Sequence, residues 1–185
     1  MRIGLVRHYK VDQPYPAARF VSGDDVAKWF VAYDVAPIVE GRTDLGGVAW
    51  ERCVSSDLPR AVRTAELLFP GPGRVERRAE LREIPLPPVS GKLRLPFWWW
   101  AAWARLSWKL HRDGREQMAL AERRVRAVLD EVLRGPERNV LIVSHGALML
   151  QMRKELARRG FRGPRLAYPE NGKLYVYTCA EGPAR

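Results

Sequence analysis

The chain has 185 residues, of which 46% are hydrophobic and 29% are charged, and it carries a net charge of +11 at pH 7. These fractions are typical of one globular domain with a sizeable core, and no low-complexity tract or internal repeat indicates disorder or a solenoid. The basic residues are spread along the chain without a recognisable nucleic-acid-binding motif, so we expect no specific nucleic-acid partner and a general attraction for anionic substrates.

The apolar segments are too short for export or for a membrane span. The first apolar run is charged from Arg2 onward, too early for a secretory signal. The most apolar stretch, 95–106, is shorter than a membrane span and contains Arg105. We therefore expect a cytoplasmic protein with no membrane span. Cys53 and Cys179 have no zinc-like spacing with histidine, and we expect neither a metal nor a disulfide.

The first half of the chain predicts strands that alternate with helices. In chain order the elements are a strand over 2–7, a helix over 24–33 that Ser22 could cap, a strand over 52–55, and a helix over 58–69 that ends at a Pro-Gly-Pro-Gly run. Irregular segments over 10–21 and 36–47 separate these elements. The alternation is the beginning of an α/β pattern.

The second half continues the same alternation. It predicts an edge strand over 75–81, a proline-punctuated loop over 85–96, an aromatic helix over 97–110, an amphipathic helix over 115–133, a strand over 139–144, a helix over 147–159 and a strand over 173–179. The continuous apolar run at 140–143 is typical of a strand buried on both faces of a parallel sheet. The sequence therefore predicts a single domain over 1–185, a three-layer α/β/α sandwich with a mostly parallel central sheet.

Three strand ends carry polar side chains suited to chemistry. Arg7 and His8 follow the first strand, and His145 follows the most apolar strand. Arg60 lies in the first turn of the helix after a third strand. Open α/β sheets place their active sites beyond the carboxyl ends of the strands, so adjacent strands would bring these side chains into one crevice.

The same three corners carry a family resemblance. Leu-Val-Arg-His at 5–8, Ser-Ser-Asp-Leu-Pro-Arg-Ala-Val-Arg-Thr-Ala at 55–65 and Val-Ser-His-Gly at 143–146 resemble, in order and spacing, the motifs of the histidine phosphatase superfamily, which includes phosphoglycerate mutase. The resemblance implies a phosphoglycerate mutase-like fold. It also implies a phosphatase, independent of metal and cofactor, that hydrolyses a small phosphomonoester through a phosphohistidine.

The resemblance assigns a role to each polar residue. His8 would be the nucleophile, because a neutral imidazole attacks phosphorus and leaves it readily. Arg7 and Arg60 would hold the phosphate oxygens with permanently charged guanidinium groups. His145 would be a further donor, protonated at least when phosphate is bound, and the amides that start the next helix could add to it. Together these groups would stabilise the transition state.

The general acid in the family is a carboxylate that follows the second arginine motif. The segment 81–84, Leu-Arg-Glu-Ile, resembles that part of the family pattern. Glu83 is therefore the predicted acid that protonates the leaving oxygen, and Glu80 is the rival.

The residues after His8 depart from the family pattern. The family usually continues with glycine, an acid or amide, and a hydroxyl residue, whereas this chain has Tyr9, Lys10 and Val11. Tyr9 and Lys10 are therefore candidate substrate contacts. The segment 14–47 also lacks the mutase pattern, so the sequence favours a phosphatase over the alternative of mutase-type transfer.

A tryptophan-rich segment falls where the family often carries a helical cap, and we take 85–112 as a cap insert. Trp99, Trp103, Leu106 and Leu110 share one helical face, which indicates core packing. Tryptophans on the other faces could roof the pocket and favour a hydrophobic or aromatic phosphomonoester. The alternatives are a membrane-surface contact, a partner contact or a dimer contact, and the sequence does not predict an oligomeric state.

Two alternatives lie outside enzyme catalysis. A protein with the same pocket could bind phosphate as a non-catalytic scaffold without turnover. A basic surface could instead bind nucleic acid, in which case binding would weaken with salt and not depend on phosphate.

Overall fold

The computed structural model describes residues 1–71, 75–85 and 89–179. Its strands are β1 (Arg2–Arg7), β2 (Val21–Ser22), β3 (Arg52–Ser56), β4 (Val75–Arg78), β5 (Arg94–Leu95), β6 (Asn139–Ser144) and β7 (Leu174–Thr178). Its helices are α1 (Gly23–Val35), α2 (Pro59–Leu68), α3 (Phe97–Leu110), α4 (Arg112–Arg134) and α5 (Gly146–Arg158). A 3-10 turn over Ala79–Leu81 follows β4.

The central sheet has five strands in the order β4-β3-β6-β1-β7. The first four run parallel to one another, and β7 pairs antiparallel with β1. In the β1–β6 register Arg7 lies opposite Ser144. The residues that follow these partners, His8 and His145, therefore leave the sheet side by side at the carboxyl edge.

The two faces of the sheet bury two separate clusters, because alternate residues of a strand point to opposite sides. In β6, Val140 and Ile142 pack with α4 and α5, whereas Leu141 and Val143 pack with α2. Every side chain of this run is fully buried. A helical layer on each face confirms the predicted α/β/α sandwich with a mostly parallel sheet.

A third, smaller cluster lies outside the sandwich. Val21, Val26 and Trp100 are buried together, and β2 pairs with β5 beside them. This layer joins α1 to α3, so it is built from two separate segments of the chain and not from the 85–112 insert alone. The division of 1–185 into a single domain with a cap insert over 85–112 stays a prediction.

Most predicted elements are present with shifted ends. Ser22 caps α1 through a reciprocal capping box with Asp25, as its spacing predicts. The predicted edge strand over 75–81 ends at Arg78, where the chain turns into the 3-10 turn. The short β2–β5 pair was not predicted. Parts of the predicted Pro-Gly-Pro-Gly stop and of the proline-punctuated loop, at 72–74 and 86–88, lie outside the described residues.

Candidate active site

Two buried histidines face each other at the carboxyl edge of the sheet. The ring centroids of His8 and His145 are 5.1 Å apart, with 57° between the ring planes. Only 2% of His8 and 1% of His145 is exposed. The two corners that were singled out in the sequence are therefore brought together, as the order of β1 and β6 requires.

His8 is held with one ring nitrogen engaged. Its Nδ1 lies 2.7 Å from the carbonyl oxygen of Tyr9, which can only accept a hydrogen bond, so Nδ1 carries the proton and Nε2 keeps its lone pair. Burial lowers the pKa of His8 to about 3, and the nearby Arg7 and Arg60 charges act in the same direction, partly offset by the Tyr9 carbonyl. A neutral imidazole with a free Nε2 is the form that can act as a nucleophile.

His145 is the N-cap of α5 and shares a hydrogen bond with β3. Its Nε2 lies 2.9 Å from the hydroxyl oxygen of Ser56, and its buried Nδ1 has no hydrogen-bond partner among the described residues. Burial lowers the pKa of His145 well below its ordinary value, with further repulsion from His8 and the pocket arginines. Without an anion nearby, this ring is neutral.

Arg7 reaches from the end of β1 toward the start of α5. Its Nη1 donates to the carbonyl oxygen of Pro169 at 3.0 Å, and its guanidinium would lie about 3.6 Å from a Cβ added to Gly146. The Tyr168 ring stacks near the same guanidinium. Arg7 Nε is buried, and nothing in the described part of the chain accepts its hydrogen bond.

Arg60 begins α2 and is also buried, with 6% of the residue exposed. Its Nη1 donates to Oδ1 of Asp34 at 2.9 Å, and its Cζ lies 5.3 Å from the centroid of the Tyr33 ring. Its Nε has no acceptor within the described ranges. Arg7 and Arg60 thus each hold a buried donor nitrogen that an anion could satisfy, and the buried Nδ1 of His145 becomes a further donor when it carries a proton.

Glu83 lies at the first turn of α5. Its Oε2 accepts from the backbone nitrogen of Ala147 at 3.2 Å, and its Oε1 accepts from Leu148 at 3.1 Å and from Ile84 at 3.0 Å. The expectation that amides at this helix start would bind phosphate is wrong for these two, because they donate to Glu83. The rival, Glu80, is exposed on the 3-10 turn.

Hydrogen bonds between strand ends fix the position of these groups. The Ser144 hydroxyl donates to the carbonyl oxygen of Leu81 at 2.9 Å, which ties the end of β6 to the 3-10 turn just before Glu83. The Thr64 hydroxyl donates to the carbonyl oxygen of Arg60 at 2.7 Å and accepts from the backbone nitrogen of Tyr9 at 2.9 Å. Thr64 therefore links the loop after His8 to the helix of Arg60.

The Tyr9 side chain is buried in the core. Only 4% of the residue is exposed, and its hydroxyl lies 3.1 Å from that of Thr43. A Cβ at Gly172, where φ is +68°, would come within 2.6 Å of the ring. The geometry therefore favours packing of the Tyr9 ring over the expected substrate contact, whereas Lys10 is exposed and its role stays a prediction.

Asn171 also holds the nucleophile loop, and sequence reasoning missed it. Its Nδ2 donates to the carbonyl oxygen of His8 at 2.7 Å. The backbone nitrogen of Gly172 donates to the carbonyl oxygen of Arg7 at 2.8 Å. Neither contact has a local sequence signal, because the partners lie more than 160 positions apart along the chain.

The expected core face of α3 is the exposed one. Trp99 is 66% exposed and Trp103 is 51% exposed, and Leu106 and Leu110 are exposed beside them. Trp100, on another face, is buried instead, and its indole nitrogen donates to the carbonyl oxygen of Val21 at 3.0 Å. The prediction of core packing for this stripe is wrong because α3 packs on α1 and α4 through its opposite side.

An aromatic cluster connects α1 and α3. Neighbouring rings in it lie about 5 to 6 Å apart, in stacked, tilted and edge arrangements. Its members are Tyr15, Trp29, Tyr33, Phe97 and Trp98. Sequence reasoning missed the α1 members, although the Trp29–Tyr33 spacing of one helical turn was a signal for them.

Tyr33 joins this cluster to the anion pocket. The Tyr33 ring contacts Arg60, and the charges of Arg7, Arg60 and Glu83 all act on the Tyr33 hydroxyl. Burial nevertheless raises the pKa of Tyr33 overall, so the phenol stays protonated. The aromatic cluster therefore begins at the arginine that would bind phosphate.

Within residues 1–71, 75–85 and 89–179, no three His, Cys, Asp or Glu side chains are grouped as ligands of a metal ion. No helix in the same ranges is both long and apolar enough to span a membrane.

Comparisons with solved structures find the same fold in other proteins, two of which are described as phosphatases. Bacillus stearothermophilus YhfR is 17% identical, with a TM-score of 0.60 over 100% of this chain and 98% of its own. An Entamoeba histolytica phosphoserine phosphatase, in complex with 3-phosphoglyceric acid, is 14% identical, with a TM-score of 0.55 over 100% and 97%. A mycobacterial glucosyl-3-phosphoglycerate phosphatase is 23% identical, with a TM-score of 0.51 over 85% and 79%.

Sequence comparison adds the family. No curated protein matches this chain. Residues 40–185 match the model of the histidine phosphatase superfamily (branch 1), a range that includes Arg60, Glu83 and His145 and begins after His8. The matched range covers most of the chain, and the structural neighbours share its fold. The chain belongs to the histidine phosphatase superfamily.

Proposed function

We propose that this protein is a metal-independent phosphatase that hydrolyses a phosphomonoester through a phosphohistidine on His8. The observation that carries the proposal is the state of His8, a buried neutral imidazole whose Nδ1 donates to Tyr9 and whose Nε2 keeps its lone pair. Its ring centroid lies 5.1 Å from that of His145. A nucleophile needs this lone pair, and a buried ring fixed on one side presents it in one direction.

The first step transfers the phosphoryl group to the protein. Nε2 of His8 forms a bond to phosphorus as the bond from phosphorus to the ester oxygen breaks. The leaving oxygen takes a proton from Glu83, and the alcohol departs. The Glu83 carboxylate accepts hydrogen bonds from Ala147 and Leu148 in the first turn of α5, close to His145, where an acid could reach the leaving group.

The second step returns the protein to its starting state. A water oxygen attacks phosphorus, the Nε2–phosphorus bond breaks, and Glu83, now ionised, takes the proton of the water. Inorganic phosphate leaves, and His8 is again neutral, with its Nδ1–H donating to the carbonyl oxygen of Tyr9. The two steps consume one water and release one alcohol and one phosphate.

Arg7, Arg60 and His145 would stabilise the charge on the transferred group. The buried donor atoms are Arg7 Nε, Arg60 Nε and His145 Nδ1, each without a partner in the described part of the protein. An arriving dianion would also oppose the burial and repulsion that keep His145 neutral, so we expect this ring to take up a proton on binding. Once phosphate is bound, these fixed donors can stabilise the transition state as it forms.

The aromatic cluster supports a hydrophobic or aromatic leaving group. Tyr33 contacts Arg60, and Trp29 stacks on Tyr33 with ring centroids 5.2 Å apart. A substrate held by its phosphate at Arg60 would place its organic part against these rings, where apolar burial favours binding. Two of the structural neighbours are described as phosphatases, which favours hydrolysis over mutase-type transfer.

The test is hydrolysis of p-nitrophenyl phosphate in the presence of EDTA. Wild-type protein should be active, and His8→Asn should lose at least about a thousandfold in kcat. The matched control is His111→Asn, because His111 is exposed and lies outside the pocket. Full activity in His8→Asn would overturn the mechanism, and inactive wild-type protein that still binds phosphate would indicate a scaffold.

A further inference from the structure

An apolar stripe runs along the outer face of α3. Trp99, Trp103, Leu106 and Leu110 follow the spacing of one helical face, and they are 66%, 51%, 47% and 56% exposed. Large apolar side chains exposed as a contiguous patch, and not singly, are typical of an interaction surface. The stripe is separate from the anion pocket.

The opposite side of α3 fixes the direction in which the stripe points. Trp100, Ala104 and Ser107 are buried, and the Trp100 indole nitrogen donates to Val21. A Cβ at Gly114 would lie 2.6 Å from the backbone of Ser107, so only glycine allows α4 to cross this close to α3. The stripe is therefore presented outward by a helix that is anchored through its other face.

The segment that carries the stripe has charges of one sign only. The sequence from 85 to 112 contains no Asp or Glu, although acids make up 21 of the 185 residues. The same segment carries Lys92, Arg94 and Arg105, all exposed. Arg112 is also exposed but is paired with Glu116 of α4. The apolar stripe thus belongs to a segment that carries exposed cations and no acid.

This combination favours an anionic lipid surface over a second copy of the chain. Tryptophan side chains are favoured at the boundary between lipid headgroups and acyl chains, and Lys and Arg beside them attract anionic headgroups. Two copies docked through this face would instead bring like charges together. We propose that α3 docks on an anionic phospholipid bilayer, with Trp99 and Trp103 in the interface and Lys92, Arg94 and Arg105 against the headgroups.

The experiment measures binding of the full chain to lipid vesicles. Vesicles of phosphatidylcholine with phosphatidylglycerol should bind the protein at low salt, and added salt or phosphatidylcholine alone should weaken binding at least about tenfold. Brominated lipids should quench tryptophan emission in wild-type protein and less so in Trp99→Ala/Trp103→Ala. That variant should bind the anionic vesicles about tenfold or more weakly.

Three variants separate the contributions. Leu106→Asn should weaken binding without removing an aromatic ring. Arg105→Glu should weaken binding to anionic vesicles only. Leu120→Ala is the control, because Leu120 is an exposed apolar residue of α4, 42% exposed, and its loss should change nothing. Since every substituted side chain is exposed, thermal melts should match the wild type.

Three results would overturn the proposal. The first is no binding of wild-type protein to anionic vesicles at low salt. The second is equal binding by wild-type protein and Trp99→Ala/Trp103→Ala. The third is a concentration-dependent dimer in sedimentation velocity that the double variant abolishes, without vesicle binding, because this result would assign the stripe to an interface between copies.

Discussion

Asp34 and Arg60 form an ion pair at the edge of the anion pocket, with Oδ1 of Asp34 accepting from Nη1 of Arg60 at 2.9 Å. The two partners differ sharply in exposure, since the Arg60 side chain is 6% exposed and that of Asp34 is 62% exposed. Asp34 can therefore turn to solvent, whereas Arg60 cannot. A phosphate that binds Arg60 competes with this carboxylate for the same guanidinium.

Removal of the Asp34 carboxylate should strengthen phosphate binding. In Asp34→Asn, we expect the inhibition constant of inorganic phosphate to fall about three- to tenfold, because the carboxylate no longer competes with phosphate for the Arg60 guanidinium. Thermal stability should fall without phosphate and recover with it, since Arg60 is left as a buried charge. Glu40→Gln is the control, because it breaks an exposed pair with Arg63 outside the pocket. Weaker phosphate inhibition in Asp34→Asn would rule out competition.

The two pocket arginines should matter for turnover more than for folding. Arg7→Ala and Arg60→Ala should each lower kcat/KM by roughly 100- to 1000-fold, because each removes a preorganised donor to the transferred phosphoryl group. Arg63→Ala, which alters an exposed arginine of the same helix as Arg60, should stay within about twofold. Steady-state kinetics on p-nitrophenyl phosphate measure this. A loss confined to thermal stability would contradict the assignment.

Glu83 can be tested through the leaving group. If Glu83 protonates the leaving oxygen, Glu83→Gln should lower kcat/KM, which reports only the steps up to transfer onto His8, by roughly 100- to 10,000-fold for an alkyl phosphate. The loss of kcat/KM should be far smaller for p-nitrophenyl phosphate, whose leaving group needs no proton, although its kcat also falls because Glu83 activates water in the second step. Glu80→Gln should have little effect on either substrate. An equal loss of kcat/KM on both substrates would indicate that Glu83 only fixes the start of α5 through its bonds to Ala147 and Leu148.

The pKa of His8 predicts how stability depends on pH. Its ordinary value of 6.5 in the unfolded chain is lowered to about 3 in the folded state by burial. Between these values the unfolded chain binds a proton that the folded chain does not, so the free energy of unfolding falls as pH falls from about 6.5 toward 3. His145 contributes with the same sign. Urea midpoints at about pH 7 and about pH 5 should show this loss.

Substitution of His8 should reduce that acid sensitivity. His8→Asn cannot take up the proton, so its urea midpoint should change less between the same two pH values, whereas the exposed His111→Asn should behave as the wild type. Identical pH dependence in wild type and His8→Asn would contradict the assigned burial of a neutral ring.

The residues at the strand ends could be predicted from the sequence because each is marked by a local pattern. Apolar runs that end in Arg7-His8, Ser56 and His145 identify buried strands, and a parallel sheet gathers the carboxyl ends of such strands at one edge. The α3 stripe was predicted wrongly because helical spacing identifies a face without telling which side meets the protein. Asp34 and Tyr33 were missed because their contacts with Arg60 depend on how α1 packs across α2, which no local pattern encodes.

The central claim is a covalent phosphoryl group on His8. Wild-type protein mixed with p-nitrophenyl phosphate and quenched rapidly at alkaline pH, where phosphohistidine survives, should yield a proteolytic peptide phosphorylated at His8 by mass spectrometry. The modification should decay as phosphate is released, and it should be present in His111→Asn and absent in His8→Asn. Turnover by wild-type protein with no phosphoryl group on His8, or with the group on His145, would contradict the account.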